Sequence, residues 1–309
     1  MAEFETGTIS HIVIYPVKSC GGIELDNAYL SPSGLSVPGV VTDREYMIVK
    51  SAADNNGVHK FVTQRDKRGP NDRVQGLADL AKIKPKITAD GRINLSWMGE
   101  DPITIPSDLN QQSELTVMIW DHFGLAPDMG DNISEWLSRH LQYSVRLVRA
   151  SGEYDRSARQ NYLANSSKIA FQDSYPILWM SQASLDELSE RADQEIPWKS
   201  FRPNIVVNEL SARYEHQVFE GTIGGISFVD PKPCDRCPIT NIDQETGEIM
   251  EIKPMSILKE YKKWNKGRGA HPVIFGENML PQGVGYISKG SKLTTISHKN
   301  PPLVYGESV

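Results

Sequence analysis

A β-rich α+β fold is what the sequence predicts. The first third of the 309-residue chain is a succession of short β-branched runs broken by turn residues, the pattern of a barrel or compact sheet. Apolar residues at helical spacing appear in only a few short stretches. Hydrophobic residues make up 39% of the chain, enough for a sizeable core, and the length suits two ordinary domains.

In order, Thr8–Tyr15 reads as a strand that ends at Pro16-Val17 and the Gly-rich loop Lys18-Ser19-Cys20-Gly21-Gly22. Further strands are expected at Ala28–Leu30, Tyr46–Lys50, Phe61–Gln64, Lys82–Ile87 and Ile93–Trp97. Turn chemistry separates them at Pro32-Ser33-Gly34, Asp54-Asn55-Asn56-Gly57, Ala89-Asp90-Gly91 and Asp101-Pro102. A helix follows, capped by Asp131 or Asn132, with Ile133, Trp136, Leu137, His140 and Leu141 at helical spacing. Val145–Val148 is a strand, and the polar stretch from Ala150 to Lys168 is expected to be loop or partly disordered. Ile177–Met180 resumes the sheet, and Ser184 with Glu187 has the form of a capping box for a helix through about Ala192. Strands are expected at Ile205–Val207 and Ile223–Val229. An amphipathic helix is expected on Ile257, Leu258, Tyr261 and Trp264, and closing strands at Gly285–Ile287 and Leu293–Ile296.

A net charge of −6 argues against wholesale nucleic-acid binding, which leaves a basic footprint. The acidic start, Met1-Ala2-Glu3-Phe4-Glu5, lacks the features of a signal peptide, and no apolar run approaches the ~20 residues that span a bilayer. Three cysteines suit a reducing compartment better than a disulfide scaffold. A soluble intracellular monomer with no integral membrane segment is expected, cytoplasm favoured and mitochondrial association left open.

Two of the three cysteines lie in Pro233-Cys234-Asp235-Arg236-Cys237-Pro238, with an arginine between them. Thiolates bind soft metals and arginine binds phosphate, so the segment suggests a metal-containing phosphorylated cofactor. Two buried thiols of no special role are the bland alternative. Structural zinc needs four ligands and finds no second close pair. A thioredoxin-type dithiol needs a helix start, whereas Pro238-Ile239-Thr240 looks extended. Phe201-Arg202-Pro203-Asn204 opens a strand, and arginine before proline is expected to be extended. Lys18-Ser19-Cys20-Gly21-Gly22 could hold a phosphate or be a simple turn. Arg44, after Asp43, could be a phosphate ligand or a rim ion pair. Two basic clusters stand out: Lys60, Arg65, Lys67, Arg68 and Arg73; and Lys259, Lys262, Lys263, Lys266 and Arg268. Each is a solvated face or a dock for an acidic partner.

Taken in order, Tyr15-Pro16-Val17-Lys18-Ser19, Asp43-Arg44, Phe201-Arg202-Pro203-Asn204, Cys234-Asp235-Arg236-Cys237 and the Asp243/Gly247 turn resemble the MOSC family. That family is named for the C-terminal domain of molybdenum cofactor sulfurase, and the nearer branch contains the mitochondrial amidoxime reducing component. The resemblance covers nearly the whole chain. It implies an N-terminal MOSC-associated β-barrel region over 1–130 and a C-terminal MOSC β-barrel with flanking helices over 131–309. Strands near 8–50 are also candidates for the MOSC core.

The resemblance further implies a molybdenum cofactor, a pterin dithiolene bearing molybdenum and a terminal phosphate. Cys237 would ligate the metal and be the catalytic thiolate. Lys18, Ser19, Arg44, Arg202, Asn204 and Arg236 match cofactor contacts, and Ser174 and Tyr175 align with a hydroxyl-bearing pair. Asp235 stands where relatives often carry a small or neutral residue. Its carboxylate would be unfavourable there unless it points away or pairs with Arg236, though its backbone could still touch the cofactor. Asn278 stands where relatives can carry a tyrosine contact. The implied activity is reduction of N-hydroxylated compounds to amines or amidines. Electrons would come from a cytochrome b5-type carrier with its NADH-dependent reductase, because no flavin, haem or iron–sulfur motif is visible. Asp173 and Asp235 are candidate general acids by proximity in sequence. The alternative is a cofactor carrier or sulfur-transfer module without N–O turnover.

Overall fold

The computed structural model describes residues 4–67, 77–107, 113–151, 154–158, 167–260 and 273–300. Its first part is a series of short strands: β1 (Thr6–Ile14), β2 (Ile23–Leu25), β3 (Asn27–Ser31), β4 (Gly34–Val37), β5 (Val41–Thr42), β6 (Tyr46–Lys50), β7 (His59–Lys60), β8 (Lys84–Ile87), β9 (Ile93–Ser96), β10 (Ile103–Thr104), β11 (Glu114–Ile119) and β12 (His122–Pro127). Helix α1 (Asp131–Leu141) and β13 (Val145–Arg149) follow. The remainder comprises β14 (Ile177–Ser181), α2 (Gln182–Ala192), β15 (Ile205–Asn208), β16 (Val218–Ile223), β17 (Ile226–Asp235), α3 (Pro254–Glu260), β18 (Ile274–Pro281), β19 (Gly285–Ser288) and β20 (Lys292–His298).

Seven strands close on themselves. β15, β14, β18, β17, β16, β20 and β1 are hydrogen-bonded in that order and β1 pairs back to β15; β2 extends from β1. Closure leaves the barrel no open edge. It also threads the start of the chain into strands formed far later: Ile12 faces Ile205 and Gly7 faces Leu293. Smaller sheets pair β3 with β4 and β19, β8 with β9, β11 with β12, and β6 with β13. Trp179, Phe228, Ile12, Ile205 and Leu293, from five of these strands, are buried in the main core. Gly276 sits in β18 at φ +71°, where a Cβ would meet the Trp179 carbonyl oxygen at 2.9 Å, so only glycine fits this close approach.

The structure corrects several local expectations. Phe61–Gln64 is not a strand: β7 ends at Lys60, and the Asp66 carboxylate turns the chain by accepting from the Thr63 N–H. Lys82 ends a short 3-10 turn rather than starting β8. Helix α1 is capped at Gly130 with no side-chain cap, because Asp131 pairs with Arg146 instead. Helix α2 starts earlier than the Ser184 box, since Ser181 accepts the Ser184 N–H while the Ser184 hydroxyl is drawn to Glu215. Ile223–Val229 is two strands, split by Gly224 and Gly225 at positive φ. The hairpin β11–β12, β16 and the central β18 were not foreseen. Ile257 and Leu258 lie in α3. Tyr261, Trp264, Arg68, Arg73, Lys262, Lys263, Lys266 and Arg268 fall outside the described residues, as does part of the polar stretch 150–168.

One buried polar cluster sits away from the cysteines. Trp179 Nε1 donates to Asp230 Oδ2 at 3.0 Å, Glu277 accepts from His216 at 2.8 Å and from Lys299, and Glu215 accepts from Ser181 and Ser184. Burial, with Glu277 and Glu215 nearby and despite Lys299, pushes the Asp230 carboxyl well above the usual range. The native state therefore holds a proton that the unfolded chain releases, and stability falls as pH rises above the ordinary carboxylate range. Asp230→Asn should remove that loss. Urea unfolding should show wild type losing stability relative to the variant as pH rises above the ordinary carboxylate range, and no such divergence would overturn the assignment.

Candidate functional site

The route into the site begins in β17. This strand runs through Pro231 and Pro233, which cannot donate to a ladder, and its register against β18 shifts after Val229 and again after Pro233. Asn278 of β18 repairs the break: its amide donates to the carbonyls of Lys232 and Pro233 at 3.1 Å each. The bulged strand then delivers Cys234, Arg236 and Cys237. Cys237 is half-buried and opens a 3-10 turn, Pro238–Asn241, where an extended segment was expected. Proline at the first position suits such a turn.

Arg236 ties this segment to the next. Its Nη1 donates to Cys234 Sγ at 3.1 Å and its Nη2 to the Phe201 carbonyl at 2.6 Å, while its buried Nε finds no partner among the described residues. Burial pushes the Cys234 thiol up, against the pull of Arg236, so this thiol stays protonated at neutral pH. Arg202 follows Phe201 directly and is left-handed at φ +55°, not extended. The turn ending at Phe201 leaves the chain reversed at Arg202, and this overrides the preference set by Pro203.

Arg202 and Arg44 flank one aromatic ring. Each guanidinium lies 4.4 Å from the centroid of Tyr15, whose phenol burial pushes up to about 12 and whose hydroxyl donates to the Pro203 carbonyl. Asp43, fully buried, accepts from the Tyr15 N–H at 2.8 Å and holds Arg44. Asn204 locks the group: its amide donates to the Val13 carbonyl at 3.0 Å, and its oxygen accepts from Arg44 at 3.2 Å and from the Leu178 N–H at 3.1 Å. Asn204 thus joins β1, β14 and Arg44, a positioning role.

Two glutamines missed in the sequence complete the frame. Arg202 Nη1 donates to Gln244 Oε1 at 2.9 Å. Gln244 and Gln64 exchange amide hydrogen bonds at 2.9 and 3.0 Å, and Gln64 also donates to the Ser19 carbonyl at 2.7 Å. A separation of 180 residues left no signal of this pair in the sequence. Ser19 (φ +70°) and Arg44 (φ +52°) share the left-handed backbone of Arg202. Non-glycine residues held there cost free energy and gather at functional sites.

Lys18 is buried and donates to the Phe171 carbonyl at 3.0 Å and to Asp173 Oδ1 at 2.5 Å. Burial lowers the Lys18 pKa, with Asp173 opposing. Crowding by the surrounding protein acts to raise Asp173, although its side chain is 69% exposed, but Lys18 and Arg44 outweigh it and hold the carboxyl at about 2. Asp173 is therefore ionised at neutral pH and holds no proton to give. Asp235 is exposed and pairs with Lys232 at 2.6 Å rather than with Arg236, so its charge points away. Asn278 spends its amide on β17, Tyr175 packs with Ile169 and Leu280, and Ser174 is half-buried beside it.

A cavity of about 120 Å³ opens beside Arg202, lined by Tyr15, Gly22, Lys84 and Gln244. A larger groove of about 830 Å³ along α2 holds none of the predicted site residues. Among the described residues no three His, Cys, Asp or Glu side chains gather to bind a metal. The cations favour an anionic guest. Lys18 and Arg44 have Asp173 and Asp43, but among the described residues Arg202 and Arg236 meet no carboxylate. Burying a guanidinium uncompensated is costly, and an anion placed against it relieves that cost. A phosphate-bearing group carrying a thiophilic metal fits this donor set.

The MOSC N-terminal beta barrel domain matches residues 6–144 and the MOSC domain matches residues 166–256. The chain is similar to mitochondrial amidoxime reducing component 2 of Bos taurus, 30% identical over 271 residues, covering 84% of this chain and 73% of that protein. It is similar to human mitochondrial amidoxime-reducing component 1, 26% identical over 299 residues, covering 93% and 82%. Molybdenum cofactor sulfurase 1 of Aedes aegypti is 30% identical over 265 residues, covering 81% of this chain and 32% of the sulfurase.

Proposed function

The chain belongs to the MOSC family, and from that premise we propose that it is a molybdenum-cofactor-dependent reductase of N-hydroxylated compounds. The observation that carries this reading is the pair of half-buried arginines, Arg202 and Arg236, that among the described residues meet no carboxylate beside the Cys234–Cys237 segment. Lys18, Arg44, Arg202 and Arg236 would hold the cofactor's anionic groups, and the Cys237 thiolate would be the protein's metal ligand. When bound, the cofactor supplies the two-electron chemistry that converts N–OH and two protons to N–H and water. Tyr15 keeps two guanidinium groups apart and oriented, and Asp43 and Asn204 fix Arg44 before any ligand arrives. Such preorganisation spares the cost of ordering the site on binding. Asp173, held ionised by Lys18 and Arg44, is poorly suited to be the general acid, and Asp235 faces solvent.

Electrons are proposed to come from an external carrier of the cytochrome b5 type, for which Lys60, Arg65, Lys67 and Lys259 offer basic docking charge. The sulfurase relative favours a second reading, a carrier or sulfur-transfer module. Protein expressed in a cofactor-competent host should carry close to one molybdenum per chain and reduce benzamidoxime under an artificial donor. Full loading with no reduction would replace the reductase by the carrier, and no loading at all would remove both. Among the described residues no helix is long and apolar enough to cross a membrane.

A further inference from the structure

The hairpin β11–β12 turns at Trp120 and Asp121, between the paired residues Ile119 and His122. Trp120 is left-handed at φ +55°. Two-residue hairpin turns fill such a position with glycine or asparagine, and a bulky residue there is strained. Burial does not explain the choice, because Trp120 is 42% exposed. Its contacts do. The indole Nε1 donates to Asp173 Oδ1 at 3.2 Å, and the ring meets Phe61 edge to face at 5.2 Å. Phe61 in turn lies 5.6 Å from the Lys18 ammonium. The strained turn thus carries a large flat ring across to the loop that holds Lys18.

Asp173 has capacity to spare. Lys18 and Trp120 both donate to Oδ1, while Oδ2 has no protein partner among the described residues and the side chain is 69% exposed. Its Oδ1 is held by Lys18, one of the groups proposed to hold the cofactor, which places this open oxygen at the edge of the same site. An exposed π-face beside an unsatisfied carboxylate oxygen recognises a particular ligand: a flat conjugated molecule with an N–H donor at its edge.

We propose that Trp120 and Asp173 form a selecting wall for substrate, favouring planar conjugated N-hydroxylated compounds with an N–H donor next to the N–OH group over small aliphatic hydroxylamines. This rests on the reductase reading, in which the N–OH group reacts near Cys237. The indole covers the π-system and Oδ2 accepts from the neighbouring N–H, so the two groups set orientation rather than chemistry.

The test uses the cofactor-loaded protein with benzamidoxime and N-methylhydroxylamine as probes, binding by calorimetry and turnover with an artificial donor. In Trp120→Leu, the benzamidoxime Kd should weaken about tenfold, in line with the loss of one aromatic stack. Trp120→Phe, which keeps a π-face, should stay within about threefold of wild type, and N-methylhydroxylamine should shift less than about threefold in either variant. Equal weakening for both probes, as a merely structural role would give, overturns the proposal, as does no weakening. The predicted binding pattern without turnover would keep the wall and remove the reductase. Turnover with benzamidoxime binding indifferent to Trp120 would do the reverse. Binding of neither probe by wild type would remove both.

Discussion

Cys237→Ala should lose more than about 100-fold in N–O reduction while keeping most of its pterin. Losing only a hydrogen-bond partner of a metal ligand typically costs 10–100-fold, so losing the proposed ligand itself should cost more. The anchoring groups lie elsewhere, on four separate stretches of chain: Lys18, Arg44, Arg202 and Arg236. They are held by Asp173, Asp43, Gln244 and the Phe201 carbonyl respectively, and none depends on the Cys237 side chain. Pterin content and turnover should therefore separate. Cys234→Ala is the companion measurement. Its thiol is kept protonated by burial and serves Arg236 as a hydrogen-bond acceptor, so its loss should cost less than about tenfold, the scale of one such bond. If the two variants lose activity equally, the separation of roles within the pair is wrong. If Cys237→Ala sheds pterin and metal together, the thiolate is an anchor rather than a catalytic ligand.

How much of this was legible in the sequence depends on the range of the contact. The β-rich class, the strand β6, helix α1 and the strands β19 and β20 follow from local pattern, and the structure has them. The barrel closure was not readable, because it requires β1 to pair with β15 and β20 from the far end of the chain. The central β18 was invisible for a related reason: nearly all of its residues are buried, so period-two alternation is lost. At the site, Lys18, Arg44, Arg202 and Arg236 were found as motif residues, and the structure brings Arg44, Arg202 and Arg236 around Tyr15 and Phe201. Asn278 was singled out from the same pattern, but its amide is committed to a proline-broken strand. Gln64, Gln244 and Trp120 were missed because nothing local distinguishes a glutamine in a loop, or a tryptophan at a turn, from ordinary surface. Their meaning lies in partners more than forty residues away.

Arg202→Gly should move cofactor loading and stability of the empty protein in opposite directions. The guanidinium is half-buried and meets no carboxylate among the described residues, and this desolvation lowers its pKa. Its backbone sits at φ +55°, a left-handed conformation that costs an L-residue roughly 1–2 kcal/mol and glycine little. Both penalties vanish in the variant. Losses are modest: Gln244 Oε1 keeps its bond from Gln64, and Tyr15 keeps Arg44 on its ring. Glycine's greater freedom in the unfolded chain returns about 0.5–1 kcal/mol of the gain. The cofactor-free variant should therefore unfold in urea within about 1 kcal/mol of wild type, or above it. Loading should fall at least about tenfold, since a hydrogen bond to a charged group contributes about 1.5–3 kcal/mol and this one has no substitute. Measured together, the two numbers distinguish a binding residue from a structural one. A variant destabilised by more than about 3 kcal/mol that still takes up cofactor would mean that Arg202 holds the fold through Tyr15 and Gln244 and has no part in binding. A stable variant that fails to load would mean that the strain and the half-buried charge are kept in the native chain for the ligand they await.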